Sequence, residues 1–217
     1  MTILFHEIVY GPLHSRRMGS SLGINLLPYD GKLCSFDCIY CECGFNKDFR
    51  TKTKLPDRRL VKAALEDKLK SLRKEEVELD VITLAGNGEP TMHPEFGGII
   101  ADTVEMREKY YPKTGISVLS NGMHISKKTV FDALKKVDNP ILKLDSAFDE
   151  TVRLIDRPNT PGYSVAKQVA YYKRFQGNFV LQTMFLKGTF EGSIIDNTTD
   201  KEVSAWIELV RDLRPRE

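Results

Sequence analysis

Residues 79–90 read LDVITLAGNGEP, a short apolar, β-branched run that breaks into a Gly-rich turn. Continuous apolar runs of this length suit a strand buried on both faces, and such strands belong to parallel sheets covered by helices. Four further stretches repeat the pattern, at 22–27 (LGINLL), 115–120 (GISVLS), 140–145 (PILKLD) and 179–186 (FVLQTMFL). Between them the spacing becomes helical. Val61, Leu65, Leu69 and Leu72 form one stripe over 57–74, entered by Pro56, where a missing N–H costs little. Comparable stripes occupy 95–110 (Phe96, Ile100, Thr103, Val104, entered by Pro94), 126–137 (Val130, Leu134, Val137), 164–175 (Val165, Val169, Tyr172, Phe175) and 200–213 (Val203, Ile207, Val210). Thr199 and Glu202 stand at capping-box spacing before the last of these.

Five strand–helix units in succession predict an α/β fold of parallel strands with helices outside. The chain of 217 residues stops at RPRE directly after the fifth helix, so a full eight-unit barrel does not fit and an open or partial one does. It is expected to be one domain over 1–217, with 1–21 as an amino-terminal extension. Ligand sites in such folds lie on the loops at the carboxyl ends of the strands. Those loops are where chemistry is to be sought.

Hydrophobic content of 41% and charged content of 29% are ordinary for a globular enzyme. A net charge of +2 is too small to argue for nucleic acid by itself. No run of 18 apolar residues and no secretion signal are present, which predicts a cytoplasmic protein with no membrane partner. In a reducing compartment, clustered cysteines bind metal or do redox work more often than they form disulfides.

All four cysteines fall in CSFDCIYCECG (34–44), within the loop 28–46 that follows the first predicted strand. Cys34, Cys38, Cys41 and Cys43 are ordered Cys-x3-Cys-x2-Cys-x-Cys, a crowding that suits zinc or an iron–sulfur cluster. Structural zinc more often takes two short pairs a dozen or so residues apart, and no second pair follows here. The single residue between Cys41 and Cys43 is an awkward interval for two ligands of one small ion. This layout favours an iron–sulfur cluster; the competing reading is a zinc-binding regulatory or interaction protein using all four thiols.

Cys34-x3-Cys38-x2-Cys41, with Tyr40 before the third cysteine, resembles the signature of the radical S-adenosylmethionine (SAM) superfamily. The resemblance implies a partial (β/α)6-type TIM-like barrel of parallel strands, here ending after the fifth unit. It implies a [4Fe–4S] cluster on Cys34, Cys38 and Cys41, with SAM chelating the iron that lacks a protein ligand. Reductive cleavage would then yield a 5′-deoxyadenosyl radical, with electrons from a donor such as flavodoxin or ferredoxin. Tyr40 would sit against the adenine. Asn87, Gly88 and Glu89 stand where the superfamily's GGE-like motif holds the methionine moiety, with Asn87 replacing a glycine common there. Ser120 and Asn121, and then Lys143 and Asp145, end the next two predicted strands and could reach the ribose or carboxylate. Ordinary turn chemistry is the plain alternative for each: Gly-rich and Asn-Gly turns, with Asp or Ser capping the next helix. Gln182 and Met184 could line the barrel interior, with core packing the simpler role for Met184.

A finer likeness lies in GPLHSRRMGSSLGINLLP (11–28), NGEPT (87–91) and IDRP (155–158). These resemble a bacterial Fe–S oxidoreductase subgroup similar to the tRNA wyosine-base synthases. Wyosine synthases carry a second cluster on three further cysteines, and only Cys43 is spare here, expected as a free thiol near the cluster. The superfamily core has six units, so the chain is truncated, naturally short or completed by another chain. The substrate is open: a nucleoside, RNA or a peptide. Residues 47–74 hold eleven Lys or Arg against four Asp or Glu, which suits a phosphate backbone or, more ordinarily, a solvated helix face. His6, His93 and His124 carry no assigned role, and Trp206 is read as core or surface edge.

Overall fold

The computed structural model describes residues 2–48 and 51–217. Six strands form one sheet: β1 (Val9–Ser15), β2 (Gly19–Ile24), β3 (Val81–Leu84), β4 (Gly115–Ser120), β5 (Asn139–Lys143) and β6 (Val180–Gln182). Their spatial order is their chain order. Strands β2 to β6 are parallel, and β1 closes the first edge as an antiparallel hairpin with β2. The helices are α1 (Arg58–Lys74), α2 (Phe96–Tyr110), α3 (Lys128–Leu134), α4 (Asp149–Ile155), α5 (Val165–Lys173) and α6 (Asp200–Leu213). A separate hairpin, β7 (Lys187–Phe190) and β8 (Ser193–Asp196), follows the last parallel strand. This is an incomplete parallel barrel. Along the outer edge of β6, Arg216 N donates to Phe179 O and Leu181 N to Glu217 O, at 2.9 and 2.8 Å.

Alternation along the strands sorts the two faces of the sheet. Leu22, Ile24, Ile82, Leu84, Ile116, Val118 and Leu142 join Val61, Leu65 and Leu69 of α1 and Ile99 and Ile100 of α2 in one buried core. The opposite face carries small polar groups, with Ser21 Oγ 2.8 Å from Thr83 Oγ1 and Asn139 Nδ2 donating to Ser117 Oγ at 3.2 Å. Gly23 has no substitute there, because a Cβ would fall 2.1 Å from the Tyr10 ring that lies across it.

Asp57, Ser164 and Thr199 cap α1, α5 and α6 through their side-chain oxygens. Only half of the expected capping box forms at α6. Thr199 Oγ1 accepts from Glu202 N at 3.3 Å, while the Glu202 carboxylate accepts from Ser146 (2.6 Å) and Thr151 (2.5 Å), tying α6 to the loop after β5.

Several expectations are corrected. Residues 9–15 are a strand, and α4 is a helix too short for its periodicity to stand out. The predicted helix at 126–137 is shorter at both ends: α3 spans Lys128–Leu134, and Gly122, at φ +77°, opens a 3-10 turn at Met123–Ser126 before it. The run 179–186 stays in the sheet only to Gln182. Beyond it Asn197 captures the chain, accepting from Leu186 N at 2.7 Å and donating to Met184 O and Asp145 O at 2.8 Å each. Met184 is therefore not core but 44% exposed, and Phe185 packs edge-on against Trp206. Trp206 Nε1 donates to Leu144 O at 3.2 Å, fixing α6 over the end of β5.

Leu69 is fully buried beneath α1. Leu69→Ala should lower unfolding free energy by about 2–5 kcal/mol, from lost transfer energy and a residual cavity. Urea denaturation with an unchanged slope would measure it.

Candidate active site at the carboxyl ends of the strands

The loop carrying the cysteines is held from three sides by backbone and amide contacts. On one side Leu33 bridges Gly88: Leu33 N donates to Asn87 O at 2.9 Å, and Glu89 N to Leu33 O at 3.1 Å. Gly88 sits at φ +137°, and a Cβ there would lie 2.0 Å from Leu33 O, so this approach requires glycine. Within the loop, Asn46 Oδ1 accepts from Cys34 N at 3.1 Å, and its Nδ2 donates to Cys34 O (3.1 Å) and Phe36 O (3.3 Å). Behind it runs the segment 155–159. Asp37 N and Ile39 N donate to Asp156 O and Ile155 O at 2.9 Å each, and Asn159 N to Ser35 O at 3.0 Å. Arg157, in the left-handed region at φ 49°, lays its guanidinium against the rings of both Phe45 (5.4 Å) and Phe190 (5.6 Å), which themselves meet at 6.0 Å, joining the loop to the β7–β8 hairpin.

Glu89 links this loop to the end of β4. Its buried carboxylate accepts from Thr91 N (3.1 Å), Thr91 Oγ1 (2.5 Å), Ser120 Oγ (2.9 Å) and Asn121 N (2.7 Å). Burial pushes its pKa up, and these donors oppose the shift. Asn121 continues the chain of contacts, its Nδ2 lying 2.9 Å from Ser35 Oγ and 3.6 Å from Cys34 Sγ. Asn87 faces elsewhere: its side chain bonds Phe5 N, Phe5 O and Pro28 O, each at 2.8 Å, and anchors the amino-terminal segment.

All four cysteines are free and partly buried. Burial raises Cys34 to about 12 and raises Cys38 as well, the latter eased by Lys143. Cys41 is held down to about 6, first by a hydrogen bond from Cys43 and further by the Lys32 ammonium. The Cys43 thiol is pushed up by that same partnership and lies 3.5 Å from Gly86 O. Among the described residues, no three His, Cys, Asp or Glu side chains converge on a position for one metal ion.

A second group stands at the end of β5. Lys143 Nζ is 2.8 Å from Asp145 and 3.2 Å from Asp156, and 4.4 Å from the centre of the Tyr40 ring. The Tyr40 hydroxyl donates to Asp145. A cavity of about 210 Å³ opens beside Tyr40, lined by Ile39, Met184, Leu186 and Phe190. Tyr40, Lys143 and Asp145 thus meet in space, as do Glu89, Ser120 and Asn121. Lys32, Asn46 and Asn159 escaped the sequence reading, since a lone Asn or Lys in a loop carries no periodic signal, and Asp156 stood there only as part of IDRP, without a role.

The radical SAM superfamily model matches residues 30–196, which span the cysteine loop and every strand end just described. The chain belongs to the radical SAM superfamily. Its curated relatives include a Brachyspira hyodysenteriae protein named GTPase Obg, 29% identical over 95% of this chain and 28% of that protein. Another is a UPF0026 protein of Helicobacter pylori, 28% identical over 83% of this chain and 57% of that one. The chain thus spans less than two thirds of the length of these relatives. Among solved structures, a radical SAM methyltransferase from Sphaerobacter thermophilus superposes with TM-score 0.60 at 15% identity, covering 88% of this chain and 52% of that one. An archaeal TYW1 does so with TM-score 0.53 at 13% identity, covering 89% and 61%. At such identities the likeness is one of fold.

Radical SAM proteins use a [4Fe–4S] cluster and SAM, and the donor set fits that pair. Three thiols share one pinned loop at the strand ends, and they do not close around a single ion. The residues left for cofactor contact are set by charge. One ammonium, Lys143, serves two buried carboxylates, and its approach at 3.2 Å is the contact left to Asp156 Oδ1. Burial, with Asp145 adding like charge, raises Asp156 to about 8. A carboxyl raised in the folded state binds more protons than in the unfolded chain, so stability falls as pH rises from the ordinary carboxylate range to about 8. Asp156→Asn should flatten that slope in apo-protein denaturation curves taken between these limits; an unaltered slope would contradict the assignment.

Proposed function

We propose that this chain is a radical SAM enzyme in which Cys34, Cys38 and Cys41 hold the [4Fe–4S] cluster and an organic substrate is activated by hydrogen abstraction. The observation that carries the reading is the pinned loop. Three cysteines are presented together at the carboxyl ends of parallel strands, beside the Tyr40 cavity and the Glu89–Asn121 bracket. When bound, the cluster supplies the electron that cleaves the sulfonium of SAM to a 5′-deoxyadenosyl radical. A small one-electron carrier of the flavodoxin or ferredoxin kind would deliver it.

The chain's own residues then divide into contacts and supports. Tyr40 faces the adenine in the cavity beside Ile39 and Met184, Gly88 lends main chain to the methionine moiety, and Lys143 meets the ribose or carboxylate. Asn87, Glu89, Ser120, Asn121 and Asp145 support them, because their side-chain oxygens are already engaged by protein donors.

A modified nucleoside, an RNA or a peptide all remain substrate classes for this site, and charge does not favour RNA. Three of the seven basic side chains of α1 are engaged with acidic partners: Arg58 with Asp102 at 2.6 Å, Lys62 with Glu105 at 2.8 Å, and Lys70 with Glu66 at 3.3 Å. Arg16 and Arg17 lie at the β1–β2 turn, at the opposite end of β2 from the cysteine loop.

Anaerobic reconstitution tests the proposal. The wild type should take up about four iron and four sulfide per chain, with brown charge-transfer absorbance. Adding SAM and a reductant should release 5′-deoxyadenosine. Serine in place of Cys34, Cys38 or Cys41 should abolish the absorbance, whereas Cys43→Ser should retain it. Tightly bound zinc without iron–sulfur absorbance would sink the reading.

A further inference from the structure

We propose that Lys32 is a positioning residue of the cysteine loop, whose buried ammonium braces the loop from inside and raises the reduction potential of the cluster held there. The proposal rests on the reading of Cys34, Cys38 and Cys41 as cluster ligands. Lysine is almost never fully buried unless paired, yet Lys32 is 3% exposed. Its ammonium has three donors and no acceptor, and two partners on the loop receive it. Nζ lies 3.0 Å from Asp37 Oδ1 and 2.9 Å from Gly44 O, and Gly44 N in turn donates to Cys41 O at 3.0 Å. Gly44 stands on the far limb of the loop, so the ammonium spans the loop from inside.

Burying this charge is costly, and closing a loop alone would not demand it. The cost is offset once thiolates and a cluster bring negative charge to the same place. Reduction adds one more negative charge, which a nearby fixed cation in a poorly hydrated site stabilises. Other groups near the sulfurs lack this capacity. Asn121 Nδ2 and Phe36 N, at 3.6 and 3.4 Å from Cys34 Sγ, are neutral donors. Lys143 near Cys38 is a cation already shared between Asp145 and Asp156. Lys32 is paired with the one carboxylate of Asp37, which is itself fixed by Asn46 N at 2.9 Å.

Redox titration of reconstituted protein, followed by electron paramagnetic resonance, tests this on the wild type, Lys32→Met, Lys32→Arg and Asp37→Asn. Iron and sulfide are measured first. A wild type without a [4Fe–4S] cluster overturns the ligand assignment and this proposal with it. Given a wild-type cluster, Lys32→Met should keep its iron and show a more negative midpoint potential. Lys32→Arg should stay close to wild type, and Asp37→Asn should move to a more positive potential. An unchanged potential in an iron-replete Lys32→Met protein overturns the proposal. If Lys32→Met retains no cluster, Asp37→Asn decides: a positive shift supports the role, and an unchanged potential overturns it.

Discussion

The close backbone approach of Leu33 to Gly88 is the contact on which the rest of the site depends. It joins the loop after β2 to the turn after β3 by two main-chain hydrogen bonds, and no side chain can stand between them. Once that bridge exists, Glu89 is carried under the end of β4, where it gathers Ser120 and Asn121. Asn121 then reaches back to Cys34 and Ser35. Three strand ends are thereby locked to one cysteine loop.

This locking has an energetic logic. A buried carboxylate such as Glu89 is tolerated because each oxygen meets donors, so the desolvation penalty is spread over four hydrogen bonds. The far side of the loop uses main chain for the same end: residues 155–159 satisfy Asp37, Ile39 and Ser35 as an added strand would. The cysteines are left with their sulfurs as the reactive groups of an otherwise satisfied loop. Charge is distributed unevenly around them, with Lys32 beside Cys41 and a Lys143 balanced by two carboxylates beside Cys38.

The hairpin β7–β8 adds a wall that strand counting does not foresee. Asn197 pulls the chain out of the sheet after Gln182, and the released segment packs over Tyr40 through Leu186 and Phe190. Arg157 rests against both Phe45 and Phe190, which also touch each other, so the hairpin and the cysteine loop share one cation. The cavity beside Tyr40 is a product of this detour.

The five parallel strands, most of the helices and the loop that bears the chemistry were legible in the sequence, because apolar period and cysteine spacing are local properties. Spacing together with the family likeness sets Cys34, Cys38 and Cys41 apart from Cys43 as the expected ligands. The sequence could not tell a ligand-facing residue from a bracket. Asn87 and Glu89 look alike as polar residues in a Gly-rich turn, yet one anchors the amino-terminal segment and the other bridges two strand ends. Lys32 and Asn46 were invisible for the same reason: their partners lie 5 to 12 residues away. Burial and long-range hydrogen bonding decide those roles, and only the tertiary structure supplies them.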